Sequence, residues 1–283
     1  MQERERYSLA VIIPNYNKEK YLYECVLSIL RQTLLPNEII IVDDGSSDHS
    51  REIIDKLKEE YDLIQAVFLE KNGGVSRARN IGLKTSRSEY VTFLDSDDFY
   101  YNYNKLENEM NLIKKIGDDI VAYSQLVFVG AEGIKLEMRT SKAEYLNGDI
   151  FARLLTGKFT WPAIAKDYCI KKSILVQLGG YNEQRDLYED FELLLKLAKE
   201  HPFLCTYEEG SAYRQVQDGL SKRVASEHKK ARQEIFLNSI ESLPFVMRHK
   251  YTFQWKYNRL YTWFQGVCVQ PVKNMVKAVL GRK

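Results

Sequence analysis

The segment TFLDSDDFYY, residues 92–101, places the carboxylates of Asp95, Asp97 and Asp98 directly after an apolar, β-prone stretch. Two carboxylates about 4 Å apart repel each other by roughly 4 kcal/mol at an effective dielectric constant near 20. A positively charged partner is therefore expected there. Mg²⁺ and Mn²⁺ bind one or two carboxylates together with phosphate oxygens. The spacing of Asp95 and Asp97 suits such a cation, although an Asp-X-Asp triplet also occurs in many solvated turns.

Glycine-rich phosphate-binding motifs are absent from the sequence. No GxGxxG follows the first apolar run, and no GxxxxGK[ST] occurs anywhere. A diphosphate would therefore not be held by a glycine-rich loop at a helix N-terminus. A divalent cation on carboxylates is the alternative.

A second acidic pair, Glu189 and Asp190, directly precedes the amphipathic segment Phe191–Lys199. A carboxylate within hydrogen-bond reach of a hydroxyl group can remove its proton and so activate it. The alternative is structural, because the helix dipole stabilises acidic residues at a helix N-terminus. Both roles are compatible with the local sequence.

Strand-like apolar runs alternate with helical patterns in the first hundred residues. The predicted strands are Leu9–Ile13, Glu38–Val42, Ala66–Leu69 and Tyr90–Leu94, and the predicted helices are Lys18–Gln32, Ile53–Tyr61 and Ser76–Lys84. This alternation predicts an α/β fold with a parallel sheet and helices on both faces. Ligands bind such sheets at the carboxyl ends of the strands, where the polar loops 15–17, 43–44 and 95–98 would meet. Alternatively, these acids only cap helices and turns.

The rest of the chain is less regular. The patterns predict helices over Lys105–Lys115, Phe151–Leu155 and Phe191–Lys199, a strand over Ile120–Val129, and a turn at 179–181.

The composition is that of an ordinary soluble globular protein, with 283 residues, of which 45% are apolar and 28% charged. The polar start indicates no signal peptide, and no apolar run is long enough to predict a spanning helix. The four cysteines lack zinc-site spacing, which favours reduced, buried thiols and a cytoplasmic location. The net charge of +2 does not indicate a nucleic-acid partner.

The segment Ser242–Lys283 contains no Asp or Glu but eight Lys and Arg, together with many aromatic residues. This mixture suits an anionic membrane surface. The alternative is a helical extension that packs on the main domain or on a second subunit, forming a homodimer. A short amphipathic helix is predicted over Val272–Leu280.

Five segments, in their order and spacing, resemble the family 2 glycosyltransferases. They are VIIPNYNKEKYLYECVLSILRQT, EIIIVDDGSSD, NGGVSRARNIG, YVTFLDSDD and YEDFELLLKL, and the resemblance covers about residues 8–220. It implies the GT-A fold, a Rossmann-like, mostly parallel sheet with helices on both faces, here followed by a C-terminal helical basic extension. It also implies a nucleotide-sugar-binding half at 7–100, an acceptor-binding half with the catalytic base at 101–220, and a basic aromatic tail at 221–283.

The resemblance further implies individual roles. On the donor side, Pro14 and Tyr16 match residues that pack on the nucleotide base, and Asp44 matches the residue that hydrogen-bonds the base, which is usually uracil. Arg79 and Asn80 match residues that hold the donor, and Asp95 matches the residue that faces the ribose. Asp97 matches the ligand of Mn²⁺ or Mg²⁺, Asp190 the catalytic base, and Glu189 a residue at the acceptor. One base and one metal suffice for a single displacement with inversion, whereas a two-step retaining route needs a carboxylate nucleophile.

The implied function is inverting transfer of a sugar, from a UDP-sugar, to a hydroxyl of a glycan or lipid-linked acceptor in cell-surface polysaccharide or capsule synthesis. The basic tail would then hold the enzyme peripherally on the inner face of the membrane. A non-catalytic nucleotide-sugar-binding scaffold is one alternative. A nucleotidyltransferase is another, but it would normally need a glycine-rich basic loop where this chain has PNYNKEK.

One departure from the family concerns the segment Tyr213–Asp218, where a histidine often follows tyrosine and arginine. This chain has YRQVQD, so Gln217, Asp218 or water would have to replace a histidine ligand of the metal. Arg214 is expected either to face the diphosphate or to lie on the surface.

Overall fold

The central sheet of the computed structural model has five strands in the order β3-β2-β1-β4-β7. The structure describes residues 7–136, 145–157, 167–215 and 225–264. The first four strands, which are mutually parallel, are β1 (Leu9–Asn15), β2 (Glu38–Asp43), β3 (Ile64–Phe68) and β4 (Tyr90–Phe93). The two-residue strand β7 (Ile170–Lys171) joins β4 in the antiparallel direction. The predicted parallel α/β core is confirmed.

Burial on both faces explains why β1 and β2 are continuous apolar runs rather than alternating patterns. Every residue of both strands is buried. Odd-numbered residues of β1 such as Val11 pack under α1 (Glu19–Leu30) and α2 (Ser50–Glu60). Even-numbered residues such as Ile12 pack in the opposite cluster with α3 (Val75–Thr85). The predicted helices therefore cover both faces of the sheet.

The approach of α3 to the sheet depends on Gly82. A Cβ at this position would lie 2.3 Å from the Ile12 Cγ2 atom. Only glycine leaves room for the strand side chain here. This close contact seats the C-terminal part of α3 against β1.

A second, three-stranded sheet has the order β5-β8-β6. Its strands are β5 (Phe99–Tyr100), β6 (Val121–Val129) and β8 (Phe203–Arg214), with β6 parallel and β5 antiparallel to β8. The remaining elements before the tail are α4 (Lys105–Ile116), α5 (Phe151–Thr156), α6 (Lys172–Gln177) and α7 (Glu189–Glu200). The predicted strand in β6 and the helices α4, α5 and α7 are confirmed, whereas β5, β7 and β8 were not predicted.

The C-terminal extension is helical as predicted, with α8 (Ala225–Glu241) and α9 (Phe245–Phe264). Both helices pack on the main domain. Phe236 of α8 stacks on Trp255 of α9 at 4.5 Å between ring centroids, and Tyr251 is buried in the main core. The predicted helix over Val272–Leu280 lies outside the described residues.

Two further sequence predictions concern the thiols and the membrane. Cys25, Cys169 and Cys205 are free and buried, as predicted. Within the described ranges, no helix combines the length and the apolar character needed to cross a membrane.

Candidate active site

The loops that follow β1 and β2 are tied together at the carboxyl edge of the central sheet. The Asn15 side chain donates from Nδ2 to Asp43 Oδ2 at 3.0 Å, and the Asp44 backbone N–H donates to the Asn15 carbonyl at 2.8 Å. The Asn17 N–H donates to Ser46 Oγ at 2.9 Å. Parallel pairing of β1 and β2 brings these polar loops to one edge, as the sequence predicts.

Three of the predicted donor residues lie on this edge. Pro14 is buried within β1, and the exposed Tyr16 follows it. Asp44 is almost fully buried, and its carboxylate accepts the backbone N–H of Gly73 at 2.9 Å and of Gly74 at 2.7 Å. Asp44 therefore holds the loop before α3, and its negative charge lies near the positive end of that helix dipole.

The carboxylates of Asp95, Asp97 and Asp98 do form a cluster, with one oxygen of each within 4.8 Å of the others. Part of the expected positive charge comes from the chain itself. Lys18 Nζ lies 2.7 Å from Asp97 Oδ2, and Arg79 lies 2.7 Å from Asp95 Oδ1. Lys18 was not predicted as a site residue; the available signal was its place directly after the polar loop that follows β1.

Arg79 joins the two acidic segments of the sequence. Its Nη2 atom lies 2.7 Å from Asp95 Oδ1, and its Nη1 atom lies 3.1 Å from Glu189 Oε1. Its guanidinium also lies 5.0 Å from the centroid of the Tyr181 ring. Burial alone would lower the pKa of Arg79, but the charges of Asp95 and Glu189 outweigh burial and raise it well above its usual value. Arg79 is thus a permanent cation between two carboxylates.

Glu189 and Asp190 begin α7, directly after Tyr188 in the left-handed region with φ of 61°. Burial raises the pKa of Glu189, Arg79 opposes that shift, and Asp190 adds to it. Asp190 is half-buried, accepts the Phe191 N–H at 2.7 Å, and is outside the Arg79 ion pairs. The two neighbours therefore differ: Glu189 is bound to a cation, and Asp190 is the acid of the pair that Arg79 does not engage.

Asn80 has different contacts from those predicted for a donor-binding residue. Its Nδ2 donates to the Tyr181 carbonyl at 2.8 Å and to the Glu183 carboxylate at 2.8 Å, and its Oδ1 accepts the Tyr181 N–H at 2.9 Å. A Cβ on Gly180 would lie 2.5 Å from Asn80 Oδ1. Asn80 holds the 180–183 loop against α3, and Tyr181 of that loop packs on Arg79.

Arg214 is buried, so the expectation that it lies on the surface was wrong. Its Nε donates to the Asp97 carbonyl at 2.8 Å, and its Nη2 lies 2.5 Å from Glu24 Oε2. Its backbone N–H also donates to Asp98 Oδ1 at 2.8 Å. Arg214 therefore stabilises the Asp95–Asp98 loop through its hydrogen bonds to Asp97 and Asp98. Gln217 and Asp218, the suggested replacements for a histidine ligand, lie outside the described residues.

Comparison with known proteins identifies the class. The model of "Glycosyl transferase family 2" matches residues 10–171, which is more than half of the chain. The chain therefore belongs to glycosyl transferase family 2. Its fold is GT-A: the structure of S. aureus TarS 1–349 in complex with UDP-GlcNAc superposes with a TM-score of 0.69 at 20% identity, covering 92% of this chain and 74% of that one.

Curated relatives are similar over shorter stretches. The chain is 39% identical over 140 residues to an uncharacterized glycosyltransferase of Haemophilus influenzae, covering 49% of this chain and 55% of the relative. It is 39% identical over 113 residues to glycosyltransferase GlyG of Streptococcus pneumoniae, covering 40% and 37%. It is 29% identical over 219 residues to the uncharacterized glycosyltransferase EpsJ of Bacillus subtilis, covering 75% and 59%. The chain thus spans between about a third and three fifths of these relatives' own lengths.

Proposed function

We propose that this chain is an inverting glycosyltransferase that moves a sugar from a UDP-sugar to a hydroxyl of a glycan or lipid-linked acceptor in cell-surface polysaccharide synthesis. The observation that carries the proposal is the double ion pair of Arg79 with Asp95 and Glu189. This contact joins the Asp-X-Asp loop to the acidic start of α7, so the acids expected at donor and acceptor belong to one site. Family membership supports the same reaction class.

The donor would lie along the carboxyl edge of the central sheet. Pro14 and Tyr16 would pack on the base, Asp44 would bind it, Asp95 would face the ribose, and Arg79 and Asn80 would complete the donor side. Asp44 and Asn80 would act in part by holding loops, since both already bind backbone groups there. Two solved structures of similar fold, both of S. aureus TarS, are complexes with UDP and with UDP-GlcNAc, which favours a uridine nucleotide.

The carboxylate cluster fits a divalent cation by its chemistry. Its oxygens are hard donors within 4.8 Å of one another, as Mn²⁺ or Mg²⁺ requires. Asp97, which is partly exposed and paired with Lys18, would be the protein ligand, with Asp95 beside it. When bound, the cation would offset the charge that develops on the departing diphosphate.

The chemical step would be a single displacement. Asp190 would accept the proton of the acceptor hydroxyl, and the oxygen would form a bond to the anomeric carbon while the bond from that carbon to the diphosphate breaks. The nucleoside diphosphate leaves with the bonding electron pair, and the configuration inverts. Glu189 would position the acceptor, because its carboxylate is already engaged by Arg79.

We also propose that two consecutive parts of the chain bind different substrates. Residues 7–100 would bind the nucleotide sugar, and residues 101–220 would bind the acceptor and carry the base. The contacts of Arg79 and Asn80 with residues 181–189 run between the two halves, so donor and acceptor would meet at this boundary.

The function is tested by incubating the purified protein with Mn²⁺ and each of several UDP-sugars, and measuring UDP release. We expect release with at least one donor, and a glycoside of inverted configuration with a suitable acceptor. Binding of every donor without any turnover would contradict the proposal and favour the scaffold alternative. Pyrophosphate release from a nucleoside triphosphate would instead favour the nucleotidyltransferase.

We also propose that α9 holds the enzyme peripherally on an anionic membrane, on its cytoplasmic face. The side of α9 away from the core exposes Phe245, Phe253 and Tyr257, with Phe245 71% and Phe253 73% exposed. Lys250 and Lys256 flank them, and Ser242–Lys283 contains no acidic residue. Aromatic residues and cations on one helix surface suit an anionic lipid interface.

The membrane proposal predicts that the full chain sediments with phosphatidylglycerol vesicles and not with phosphatidylcholine vesicles. Replacing Phe245 and Phe253 by serine should abolish sedimentation, because it removes the apolar contacts, and high salt should weaken it. Tyr23→Ser, at an exposed aromatic on α1, is the matched control. Unchanged sedimentation of the double variant would contradict the proposal. If the unaltered chain instead binds no vesicles and forms a dimer that the double replacement dissociates, this face of α9 is a homodimer interface.

A further inference from the structure

A cleft of about 420 Å³ lies on the second sheet, apart from the carboxylate cluster. The lining residues are Tyr101, Asn102, Tyr103, Tyr207, Glu208 and Glu209. The volume lies within the range of about 300–1,000 Å³ found for small-ligand sites. Tyr101 follows Asp97 by four residues, so their Cα atoms are at most about 14 Å apart. None of the lining residues has a part in the proposed transfer step.

Three tyrosines converge on this cleft with much of their surface in water. Tyr101 is 40% exposed, Tyr103 58% and Tyr207 63%. Single exposed aromatic residues are ordinary, whereas several around one cavity indicate a binding surface. The backbone beneath them is fixed: the Tyr101 N–H donates to the Gly210 carbonyl at 2.8 Å, and the Tyr103 carbonyl accepts the Thr33 N–H at 2.9 Å.

Tyr207 is held outward at a conformational cost. Its φ of 61° lies in the left-handed region, which is unfavourable for a bulky residue. The pairing of β6 with β8 shifts register at this point, so that β8 bulges. The Tyr207 hydroxyl contacts Asn147 Nδ2, and Asn147 Oδ1 accepts the Cys205 N–H at 2.7 Å. The fold therefore fixes an exposed ring at the edge of the cleft.

The charges of the cleft favour a neutral, hydroxyl-rich ligand over a cation. Lys135 pairs with Glu209, and its Nζ atom lies 5.5 Å from the centroid of the Tyr101 ring. The chain thus supplies its own cation to this aromatic and acidic corner. Lys135 and the tyrosine hydroxyls donate hydrogen bonds, and Glu208 and Glu209 accept them. The tyrosine rings offer flat apolar faces to C–H groups.

We propose that this cleft binds a pyranose residue of a glycan, separate from the position where transfer occurs. The ring would lie against the tyrosine faces, and its hydroxyls would bond to the two glutamates. The choice of ligand rests on the proposed function, because a glycan acceptor would reach this distance beyond its reacting end. The cleft would hold such an acceptor between transfers.

The test is saturation-transfer NMR on the full purified chain with cellobiose, chitobiose, lactose and maltose as probes, and with UDP in a separate sample. We expect transfer to the ring protons of at least one disaccharide. Tyr103→Ala should weaken this binding about tenfold, through the lost ring contact. Tyr23→Ala, at a tyrosine of α1 that is 49% exposed, should leave it unchanged.

Glu208→Gln provides a second variant at an exposed position and should weaken binding without affecting folding. The proposal is overturned if no disaccharide receives saturation, or if both cleft variants bind as the unaltered chain does. Binding of UDP without binding of any disaccharide would contradict the proposed glycan site and leave the proposed function standing. Disaccharide binding that depends on Tyr103, without binding of UDP, would support the glycan site and contradict the proposed function.

Discussion

Replacing Asp190 by asparagine lowers the rate of sugar transfer by about 10²–10⁴-fold, the usual contribution of a general base. The amide has the same shape, and its oxygen can still accept the Phe191 N–H bond that Asp190 accepts at 2.7 Å. Only the capacity to take a proton is lost. Turnover should be measured as UDP release that depends on the acceptor, with saturating donor, and thermal unfolding should be unchanged.

The matched control for this variant is Glu200→Gln. Glu200 is an exposed carboxylate at the other end of α7, and its replacement makes the same change of charge on the same helix. It should leave turnover unaffected. Near-normal transfer by Asp190→Asn would remove Asp190 from the mechanism, and a large loss with Glu189→Gln in the same assay would transfer the role to Glu189.

Replacing Asp97 by asparagine removes most of the effect of Mn²⁺ on donor binding and turnover. Loss of an anionic ligand costs the several kcal/mol that a cation supplies at a developing diphosphate charge, which is about 100-fold or more in rate. Calorimetry of UDP binding with and without Mn²⁺ gives a readout independent of catalysis. The unaltered chain should bind UDP more tightly with the metal, and Asp97→Asn should bind it equally with and without.

Asp62→Asn, at an exposed position remote from the cluster, is the control for charge and should retain the metal effect. Lys18→Met tests the competing cation, since its ammonium lies 2.7 Å from Asp97. Without that ammonium, Asp97 should bind Mn²⁺ more tightly. An Asp97→Asn variant in which Mn²⁺ still strengthens UDP binding would show that the metal site is elsewhere.

The central fold was largely predictable because its elements have strong local patterns. The strands β1 and β2 are apolar runs buried on both faces. The helix α1 has the predicted apolar stripe, and it begins and ends within two residues of the predicted bounds. By contrast, β8 was missed because its burial alternates irregularly and its middle, TYEEGS, has the composition of a turn. Pairing with β5 and β6 makes it a strand, and pairing between distant segments has no local signal.

The helix α4 shows the same limit on a smaller scale. Its extent was predicted closely, but Lys105 and Glu109 of that helix are fully buried and paired at 3.0 Å. From the sequence alone, charged residues such as these are expected on the solvent-exposed side of the helix. Asp167, which comes 62 positions after Lys105, supplies a carbonyl to the same ammonium at 2.7 Å. Only the packing of distant segments makes this buried pair tolerable.

The sequence by itself determined the family, the parallel sheet and the gathering of acidic loops at one sheet edge, because each follows from local composition and the geometry of parallel strands. Tertiary structure alone decided which cations meet those acids. Lys18 binds Asp97 across 79 positions, Arg79 connects Asp95 to Glu189, and Arg214 supports the loop from within the second sheet. A charge interaction depends on distance in space and on burial, and neither quantity is encoded in the spacing of residues along the chain.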